Sequence, residues 1–329
     1  MARRLDAGSD MYVYYNAPPG EALFAGVAVE RFVRMPRATL WNQLALPLAV
    51  ERDGCDAYIG TANVVPLAGG FAKVVVIHDC LPFHDPAAKP GVDGSYLRAW
   101  MLLAARHATR VVTVSQWSAR QCEMYLHPPR PATVVHPGVS PFFSPAGDIE
   151  RERAELNARH GLRGPFVLQV GAARHKGAPV AAAAIAELRR RGCDIALVRC
   201  GGGVPGPAGE GVIELGPVDD GAIRRLYRCA AATCVASSHE GFGLPVLESM
   251  ACGTPVVAAR AGGLPEAGGD VALYFDPGDA RALAGAIESV LPGKTRAELG
   301  ARGIEHASLF TWDDAAERLL RVARDAAAA

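Results

Sequence analysis

Short β-branched runs alternate with longer helical patterns along almost all of this chain. The first half predicts strands at 11–15, 57–59, 73–77, 110–114 and 133–136, and helices at 39–51, 96–107 and 116–125. The second half predicts strands at 166–170, 195–199, 211–215, 232–236, 255–259 and 272–275, and helices at 179–191, 220–230, 280–291, 295–306 and 311–327. Such alternation is typical of parallel sheets covered by helices on both faces, so the predicted fold class is α/β and doubly wound.

The 329 residues suffice for two domains of ordinary size. Segment 137–145 contains three prolines and fits a linker between two doubly wound units. We therefore predict an N-terminal domain over 1–145 and a C-terminal domain over 146–329, with a last helix at about 311–327 that can pack back on the first domain. Because ligands bind at the carboxyl ends of parallel strands, the expected site is a cleft between the domains.

The bulk composition excludes several functional classes. The 34 basic and 34 acidic residues cancel, which leaves no basic field for nucleic acid and no polybasic membrane patch. No stretch approaches the ~18–20 apolar residues of a membrane span, and the first residues do not lead into a signal peptide. The eight cysteines form no C-x-x-C pair, and several lie in apolar runs. We therefore expect buried free thiols and a cytoplasmic protein, with at most peripheral contact at the inner face of the membrane.

The most informative segment for function is 238–257, in which Glu240 and Glu248 flank a Gly-Phe-Gly turn that enters a short helix. Pro245 suits the start of that helix, and Gly253 suits the position after its end. A helix N-terminus attracts phosphate, and glycines let the backbone approach a ligand. Two carboxylates can accept hydrogen bonds from hydroxyls at opposite ends of an extended molecule. These features describe a nucleotide-sugar, although the turn alone would indicate only a helix start with two solvated glutamates.

A second group of candidates follows the predicted strand 166–170. Gly171 opens a short loop that contains Arg174 and Lys176. Arginine offers a fork of donors and lysine a point charge, so this loop suits a diphosphate leaving group. A basic turn found in isolation would be explained as an exposed turn whose charges face solvent. The position of this loop after the first strand of the second unit instead favours phosphate binding.

Three further positions have plainer explanations beside a functional one. His78 and Asp79 follow strand 73–77 and could form only a local hydrogen bond, whereas Ser115 follows strand 110–114 and could simply cap the next helix. Asp219 and Asp220 open a helix, for which N-capping is the first explanation. A carboxylate at that place could also accept the paired N–H donors of a guanine edge.

Taken together, these segments resemble the glycosyltransferase family 4 enzymes of the GT-B fold. The run from Glu240 to Glu248 is similar to the E-x7-E element of that family, and Gly171 to Gly177 resembles its phosphate-binding turn. Residues 74–79 are similar to the strand that carries a sugar-contacting histidine. The segments 112–115, 134–139 and 262–270 match as well. The resemblance runs from about Met11 to the end of the chain.

The resemblance implies a role for each candidate in a donor site. It implies that Glu248 binds the ribose hydroxyls and that Val218 and Asp220 contact the base. The donor sugar is assigned to Glu240, to His78 in the opposite domain and to the backbone of the turn, and Ser115 is added to the donor-binding set. The backbone groups of that turn belong to Phe242, Gly243 and Leu244.

The resemblance also implies the course of a reaction. Lys176 and Arg174 would neutralise the diphosphate, and charge would develop on the departing phosphate in an oxocarbenium-like transition state. Retention of anomeric configuration is implied, with no essential metal and no other cofactor. The leaving phosphate can take the proton of the acceptor, so a separate general base is not required.

Two departures from the family pattern leave alternatives open. Ala172 stands where many family members carry an arginine, a position for which Arg174 is the available substitute. The first strand and the glycine-rich loop of the family have no counterpart before strand 11–15, so the first domain is expected to lack its first strand.

The leading hypothesis is therefore a retaining hexosyltransferase. Mannose from GDP-mannose is the best guess for the donor, and a glycan or lipid-linked acceptor in polysaccharide or glycolipid assembly is the expected partner. The alternative is a non-catalytic nucleotide-sugar-binding or partner subunit. A nicotinamide-dependent oxidoreductase ranks third, because no G-x-G-x-x-G follows an early strand.

Overall fold

The computed structural model describes residues 10–17, 24, 27–85, 91–171, 173–202 and 209–329, apart from the side chains at 91, 92 and 174. Internal contacts divide the chain into two compact units. The first comprises Met1–His136 together with Trp312–Ala329, and the second comprises Pro137–Thr311. Within the described ranges no helix has both the length and the apolar character needed to cross a membrane.

Strands and helices alternate through both units. The strands are β1 (Tyr12–Tyr15), β2 (Val29–Phe32), β3 (Ala57–Gly60), β4 (Ala72–Ile77), β5 (Arg110–Thr113), β6 (Thr133–Val134), β7 (Phe166–Val170), β8 (Ala196–Cys200), β9 (Val212–Gly216), β10 (Ala232–Val235), β11 (Val256–Ala259) and β12 (Leu273–Phe275). The helices are α1 (Ala38–Leu40), α2 (Leu46–Arg52), α3 (Leu81–His84), α4 (Gly91–His107), α5 (Gln116–Leu126), α6 (Ile149–His160), α7 (Ala178–Arg190), α8 (Asp220–Cys229), α9 (Leu244–Ala251), α10 (Leu264–Gly268), α11 (Ala280–Val290), α12 (Gly293–Ser308) and α13 (Trp312–Ala327). A π-helical turn, Trp41–Ala45, joins α1 to α2, and a 3-10 turn spans Arg174–Lys176. The α/β class predicted from the sequence is confirmed.

The first unit is built on a parallel sheet of four strands in the order β3-β4-β5-β6. Val75 and Ile77 of β4 pack with Met101 of α4 and Cys122 of α5 in one apolar cluster. The C-terminal helix α13 contacts β3, β4 and β5 and so belongs to this unit. Strand β1 pairs with β2 in a separate parallel pair instead of joining the larger sheet.

The second unit is built on a six-stranded parallel sheet in the order β12-β11-β10-β7-β8-β9. Along the chain this is the strand order 3-2-1-4-5-6 of dinucleotide-binding folds. The direction of winding reverses between β7 and β10, which are neighbours in the middle of the sheet. The connections that follow such a pair lead to opposite faces of the sheet, so a crevice forms at the carboxyl ends of the two strands, and ligands of doubly wound sheets bind there.

Several elements were not predicted from the pattern, namely β2, α3, α6 and α10. Helix α6 nevertheless carries both of its boundary signals. Asp148 accepts a hydrogen bond from the Arg151 backbone N–H at 3.1 Å, and Gly161 ends the helix with φ +68°. The expectation that the first domain lacks its first strand concerns residues 1–9, which lie outside the described residues.

All eight cysteines are free thiols, as predicted. Six of them are buried, and Cys55 and Cys193 are half-buried. Burial raises the pKa of the Cys200, Cys234 and Cys252 thiols to about 12 in each case. These thiols are therefore uncharged at neutral pH and serve as small apolar core residues.

Candidate functional site

The loops after β7 and β10 meet at the crevice of the second unit. The Ser238 backbone N–H donates to the His175 carbonyl oxygen at 2.9 Å and ties the two loops together. Lys176 Nζ donates to Glu240 Oε1 at 2.5 Å, and Ser237 Oγ donates to the same oxygen at 2.7 Å. Both side chains of the ion pair are largely buried, with exposures of 21% and 13%. The structure thus joins a cation and a carboxylate that the sequence predicted separately.

Gly177 makes the close approach of these loops possible. Its φ of +70° lies in the left-handed region, and it caps the start of α7. A β-carbon at this position would lie 2.1 Å from the Ala236 carbonyl oxygen, which belongs to the other loop. Gln169, on β7, donates from its Nε2 to the Lys176 carbonyl oxygen at 2.8 Å. This hydrogen bond and the contact between the two loops fix the position of the Lys176 backbone relative to the sheet.

We expect Gly177→Ala to destabilise the second unit by about 3 kcal/mol or more, because left-handed strain adds to a clash with backbone that cannot move aside. Gly161→Ala is the matched control, since its φ of +68° is similar but no atom lies within 4 Å of the added carbon. That control should lose about 1 kcal/mol from backbone strain alone. Urea unfolding of both variants measures the difference. Equal losses would show that the contact with Ala236 does not constrain the loop.

Two further glycines, Gly262 and Gly263, support the loop that carries Glu240. The Gly263 backbone N–H donates to the Glu240 carbonyl oxygen at 2.9 Å. A β-carbon at Gly262 would lie 2.4 Å from that same oxygen. The Gly-Gly-Leu-Pro-Glu motif was recognised in the sequence only by resemblance. Its physical role is to let one backbone lie directly against another and hold Glu240 in place.

Helix α9 begins and ends at the predicted signals. Gly243 stands at its N-cap with φ +118°, Pro245 lies in its first turn, and Gly253 follows the C-cap with φ +75°. The side chain of Phe242 is buried, and its ring centroid lies 5.7 Å from that of Phe310. The ring of Phe242 therefore anchors the turn in the core, so the backbone of the turn is the part left for a ligand.

Glu248 is held by a buried tyrosine that the sequence did not reveal. Tyr227 on α8 is fully buried, and its hydroxyl donates to Glu248 Oε2 at 2.7 Å. Burial raises the pKa of the half-buried Glu248 carboxyl, the negative charge of Asp220 raises it further, and the Tyr227 hydroxyl opposes both effects. The only sequence signal for Tyr227 is its place on the apolar face of α8. One oxygen of Glu248 is thus fixed by the protein.

The structure also separates the two aspartates at the start of α8. Asp219 is the N-cap, and its Oδ1 accepts a hydrogen bond from the Ala222 backbone N–H at 2.7 Å. Asp220 is exposed in the first turn, close enough to Glu248 for the two charges to interact. Val218 is half-buried against the core beneath β7 and β8. Capping therefore accounts for Asp219, and Asp220 remains the candidate for ligand contact.

The pKa of Glu248 gives a stability prediction with a definite sign. Burial penalises the ionised form, so the pKa of Glu248 in the folded chain lies above its ordinary 4.5. The favourable contribution of the protonated acid is fully present below pH 4.5 and is lost as the pH rises through the folded pKa. We expect the neutral Glu248→Gln chain to unfold at a higher temperature than wild type at pH 8. The gap should shrink as the pH falls toward 4.5, and a lower unfolding temperature for the variant at pH 8 would contradict this.

The candidates of the first unit lie at the carboxyl end of β4 and at the start of α5. His78 is exposed, and its Nε2 donates to the Thr61 carbonyl oxygen at 2.8 Å, because a carbonyl can only accept. The His78 backbone N–H donates to Asn63 Oδ1 at 3.1 Å. Ser115 is fully buried and caps α5 by accepting from the Ser118 backbone N–H at 2.9 Å. The capping explanation thus accounts for Ser115, and its contact with a donor stays a prediction.

The start of the cationic turn is described only in part. Gly171 has φ +90°, and its backbone N–H donates to the Cys200 carbonyl oxygen at 2.7 Å. A β-carbon there would lie 3.4 Å from the stem of Lys176. Ala172 and the side chain of Arg174 lie outside the described residues. In the described part of the chain, no group of three His, Cys, Asp or Glu side chains could hold a metal ion.

Comparison with known proteins gives matches in both halves of the chain. The family model described as Glycosyltransferase Family 4 matches residues 1–141, and the one described as Glycosyl transferases group 1 matches residues 164–292. A D-inositol 3-phosphate glycosyltransferase of Acidothermus cellulolyticus is 37% identical over 248 residues, which are 67% of this chain and 54% of the relative. D-inositol 3-phosphate glycosyltransferase 1 of Catenulispora acidiphila is 32% identical over 295 residues, covering 82% and 69%. The chain thus spans about half the length of the Acidothermus relative.

Solved structures with low sequence identity share the fold. Sucrose-phosphate synthase from Thermosynechococcus elongatus superposes with a TM-score of 0.73 at 22% identity, over 96% of this chain and 88% of that one. Anabaena Alr3699/HepE in complex with UDP and glucose gives 0.69 at 20%, over 90% and 86%. WaaG, a glycosyltransferase involved in lipopolysaccharide biosynthesis, gives 0.71 at 15%, over 96% and 91%. Because both halves match and the Catenulispora relative is similar over more than two thirds of its length, the chain belongs to glycosyltransferase family 4 and has a GT-B fold of two Rossmann-like domains.

Proposed function

We propose that the protein transfers a hexosyl group from a nucleotide-sugar to an acceptor, with retention of configuration. The observation that carries the proposal is the pair of Lys176 and Glu240 at the reversal point of the sheet, with Glu248 on the helix that follows Glu240. A cation at that crevice suits the diphosphate of a donor. The relatives from Acidothermus and Catenulispora are named glycosyltransferases, which supports the same reaction class.

Each polar group of the crevice has a proposed part in donor binding. Glu248 accepts hydrogen bonds from the ribose hydroxyls with the oxygen that Tyr227 leaves open. Asp220, beside Val218, faces the edge of the base. Lys176, with Arg174, binds the diphosphate. Glu240 accepts from a hydroxyl of the sugar, near the backbone of the turn that ends at Gly243.

The ion pair between Lys176 and Glu240 suggests how binding proceeds. Without ligand the two charges satisfy one another at 2.5 Å. An incoming diphosphate carries more negative charge than one carboxylate and would draw the ammonium away. Glu240 keeps the hydrogen bond from Ser237 to its Oε1, and the departure of Lys176 leaves an acceptor position on that same oxygen for a sugar hydroxyl. Donor binding thereby makes the Lys176 ammonium available to the diphosphate and the Glu240 carboxylate available to the sugar.

The proposed chemistry needs stabilisation of the leaving group more than a base. As the glycosidic bond breaks, charge builds on the departing phosphate, where Lys176 is already placed to meet it. The proton of the acceptor passes to that phosphate. His78 is proposed as a further sugar contact, with its unbonded Nδ1 as acceptor because Nε2 carries the proton toward Thr61. No essential metal is part of this proposal.

The donor and the acceptor require separate tests. The guanine contact predicted for Asp220 favours a GDP-sugar, of which GDP-mannose is the proposed one, whereas the Anabaena neighbour was solved with UDP and glucose. The relatives named for D-inositol 3-phosphate suggest a phosphorylated inositol as an acceptor beside the glycan or lipid acceptors predicted from sequence. We would incubate the chain with radiolabelled GDP-mannose and UDP-glucose and with each acceptor class.

Formation of an α-linked product from an α-linked donor, followed by NMR, supports the proposal. Saturable donor binding without transfer to any acceptor would favour the alternative of a non-catalytic nucleotide-sugar-binding subunit. Absence of both binding and transfer would contradict the donor assignment itself.

A further inference from the structure

A second cavity of the C-terminal unit lies at the opposite end of the two central strands. Phe166, which begins β7, and Ala231, which directly precedes β10, both line this cavity of about 410 Å³. Lys176 and Glu240 follow the carboxyl ends of the same strands. Since β7 has five residues at ~3.3 Å each, the two places are roughly 15 Å apart. The cavity is therefore separate from the proposed donor site.

The charged groups that line this cavity are all cationic. Arg153 comes from α6, Arg163 from the segment before β7, and Arg296 from α12. No aspartate or glutamate is among the described residues that line it. Glu152, the sequence neighbour of Arg153, instead pairs with Arg228 at 2.6 Å. Three arginines from three different segments thus line one cavity, and its described lining contains no carboxylate.

Two of these arginines, Arg153 and Arg296, are close enough for their positive charges to interact. Burial lowers the pKa of Arg296, and the positive charge of Arg153 lowers it further. Arg296 Nη2 donates to the Ala230 carbonyl oxygen at 2.8 Å, which fixes its guanidinium at the cavity wall. Holding like charges together costs free energy, and an anion between them removes that cost.

Two other cavities in the described part of the chain also contain arginines, but each of them contains carboxylates as well. In one of them, within the first unit, Arg318 pairs with Asp314 at 2.9 Å. In another, at the end of α7, Arg189 pairs with Asp194 at 3.3 Å. Both cavities carry their own counter-charges, so neither attracts an anion as strongly. The cavity at Arg153 differs from both because none of its described lining residues carries a negative charge.

We propose that this cavity binds a phosphate ester. The phosphate lies among Arg153, Arg163 and Arg296, because a guanidinium fork matches two phosphate oxygens. The organic part of the ester rests on an apolar floor that includes Leu156 and Phe166. The ligand is either a small phosphorylated metabolite or the headgroup of a lipid, since both present the same chemistry. The inference does not depend on the proposed transferase function.

Two probes distinguish these sources in the full chain. Glycerol 3-phosphate, followed by isothermal titration, represents the soluble ester. Vesicles of phosphatidic acid in phosphatidylcholine, followed by sedimentation against phosphatidylcholine alone, represent the lipid. Low ionic strength is used because salt screens such contacts. Saturable binding of the first probe assigns a metabolite, and sedimentation with the second assigns a headgroup.

The decisive variant is Arg153→Gln/Arg163→Gln, which we expect to keep the fold because both side chains are exposed. We expect binding to weaken about tenfold per arginine removed. Arg190→Gln/Arg321→Gln is the matched control, since it removes the same charge from two exposed arginines elsewhere and should leave binding unchanged. Lys176→Met, which alters the crevice at the other end of the sheet, should also retain binding.

Three outcomes would overturn the inference. They are no binding of either probe to wild type, equal binding by the double variant, and loss of binding in Lys176→Met alone. Nucleotide-sugar binding by Arg153→Gln/Arg163→Gln is measured in parallel and should equal that of wild type. A chain that binds the ester but no nucleotide-sugar would keep this inference while contradicting the proposed function.

Discussion

Replacing Glu248 with alanine is expected to weaken nucleotide-sugar binding by about 100-fold or more. Hydrogen bonds to a charged acceptor are each worth about 1.5–3 kcal/mol, and two ribose hydroxyls are proposed to share this one. The carboxylate is already oriented by Tyr227, so little ordering is required when the donor arrives. Isothermal titration with GDP-mannose and UDP-glucose measures the loss.

Two further variants separate recognition by Glu248 from general damage. Tyr227→Phe leaves the carboxylate but removes its orienting bond, so we expect a loss of about tenfold or less. Glu298→Ala removes an exposed carboxylate from the same unit and should bind the donor as wild type does. Unchanged affinity in Glu248→Ala, with wild-type binding intact, would remove Glu248 from the donor site.

The second large effect is expected at Lys176. Changing it to methionine keeps most of the side-chain stem but removes the charge that meets the departing phosphate. Loss of one preorganised group of this kind typically costs about 10²–10³ in turnover. We expect a kcat/KM loss of that size in the transfer assay, while the Ser237 hydrogen bond continues to hold Glu240.

Two further variants test whether the effect depends on the positive charge of Lys176 and on its position in the site. Lys176→Arg keeps the charge and should recover part of the activity, although its fork fits the site less well. Lys294→Met removes an exposed lysine of α12 and should retain full activity. Equal turnover in Lys176→Met and wild type would show that the diphosphate does not lie at the loop after β7.

Much of the second unit could be predicted because its signals are local. The apolar run of β7 and the Pro and Gly boundaries of α9 depend on a few neighbouring residues, and they appear in the structure almost as expected. Helix α6 was missed although Asp148 and Gly161 mark its ends. Its polar surface gives a weak apolar stripe, so the boundary signals had no periodic pattern between them to confirm them.

The long-range parts of the site were beyond sequence patterns. Tyr227 and Glu248 are 21 residues apart, and Lys176 and Glu240 are 64 apart. Lys176 meets Glu240 because β7 and β10 become neighbours, and Tyr227 meets Glu248 because α8 packs against α9. Neither pairing is encoded in a short segment. Gly262 illustrates the same point, since its need for a bare backbone comes from Glu240 in another loop. Residue types could be predicted, but the pairings could not.

The central claim is that a nucleotide-sugar binds at the loops after β7 and β10. Amide hydrogen exchange of the full chain, with and without saturating GDP-mannose or UDP-glucose, tests it most directly. We predict slower exchange at 173–177, at 236–243 and in the first turn of α9. Saturable binding with unchanged exchange in all three segments would contradict the account.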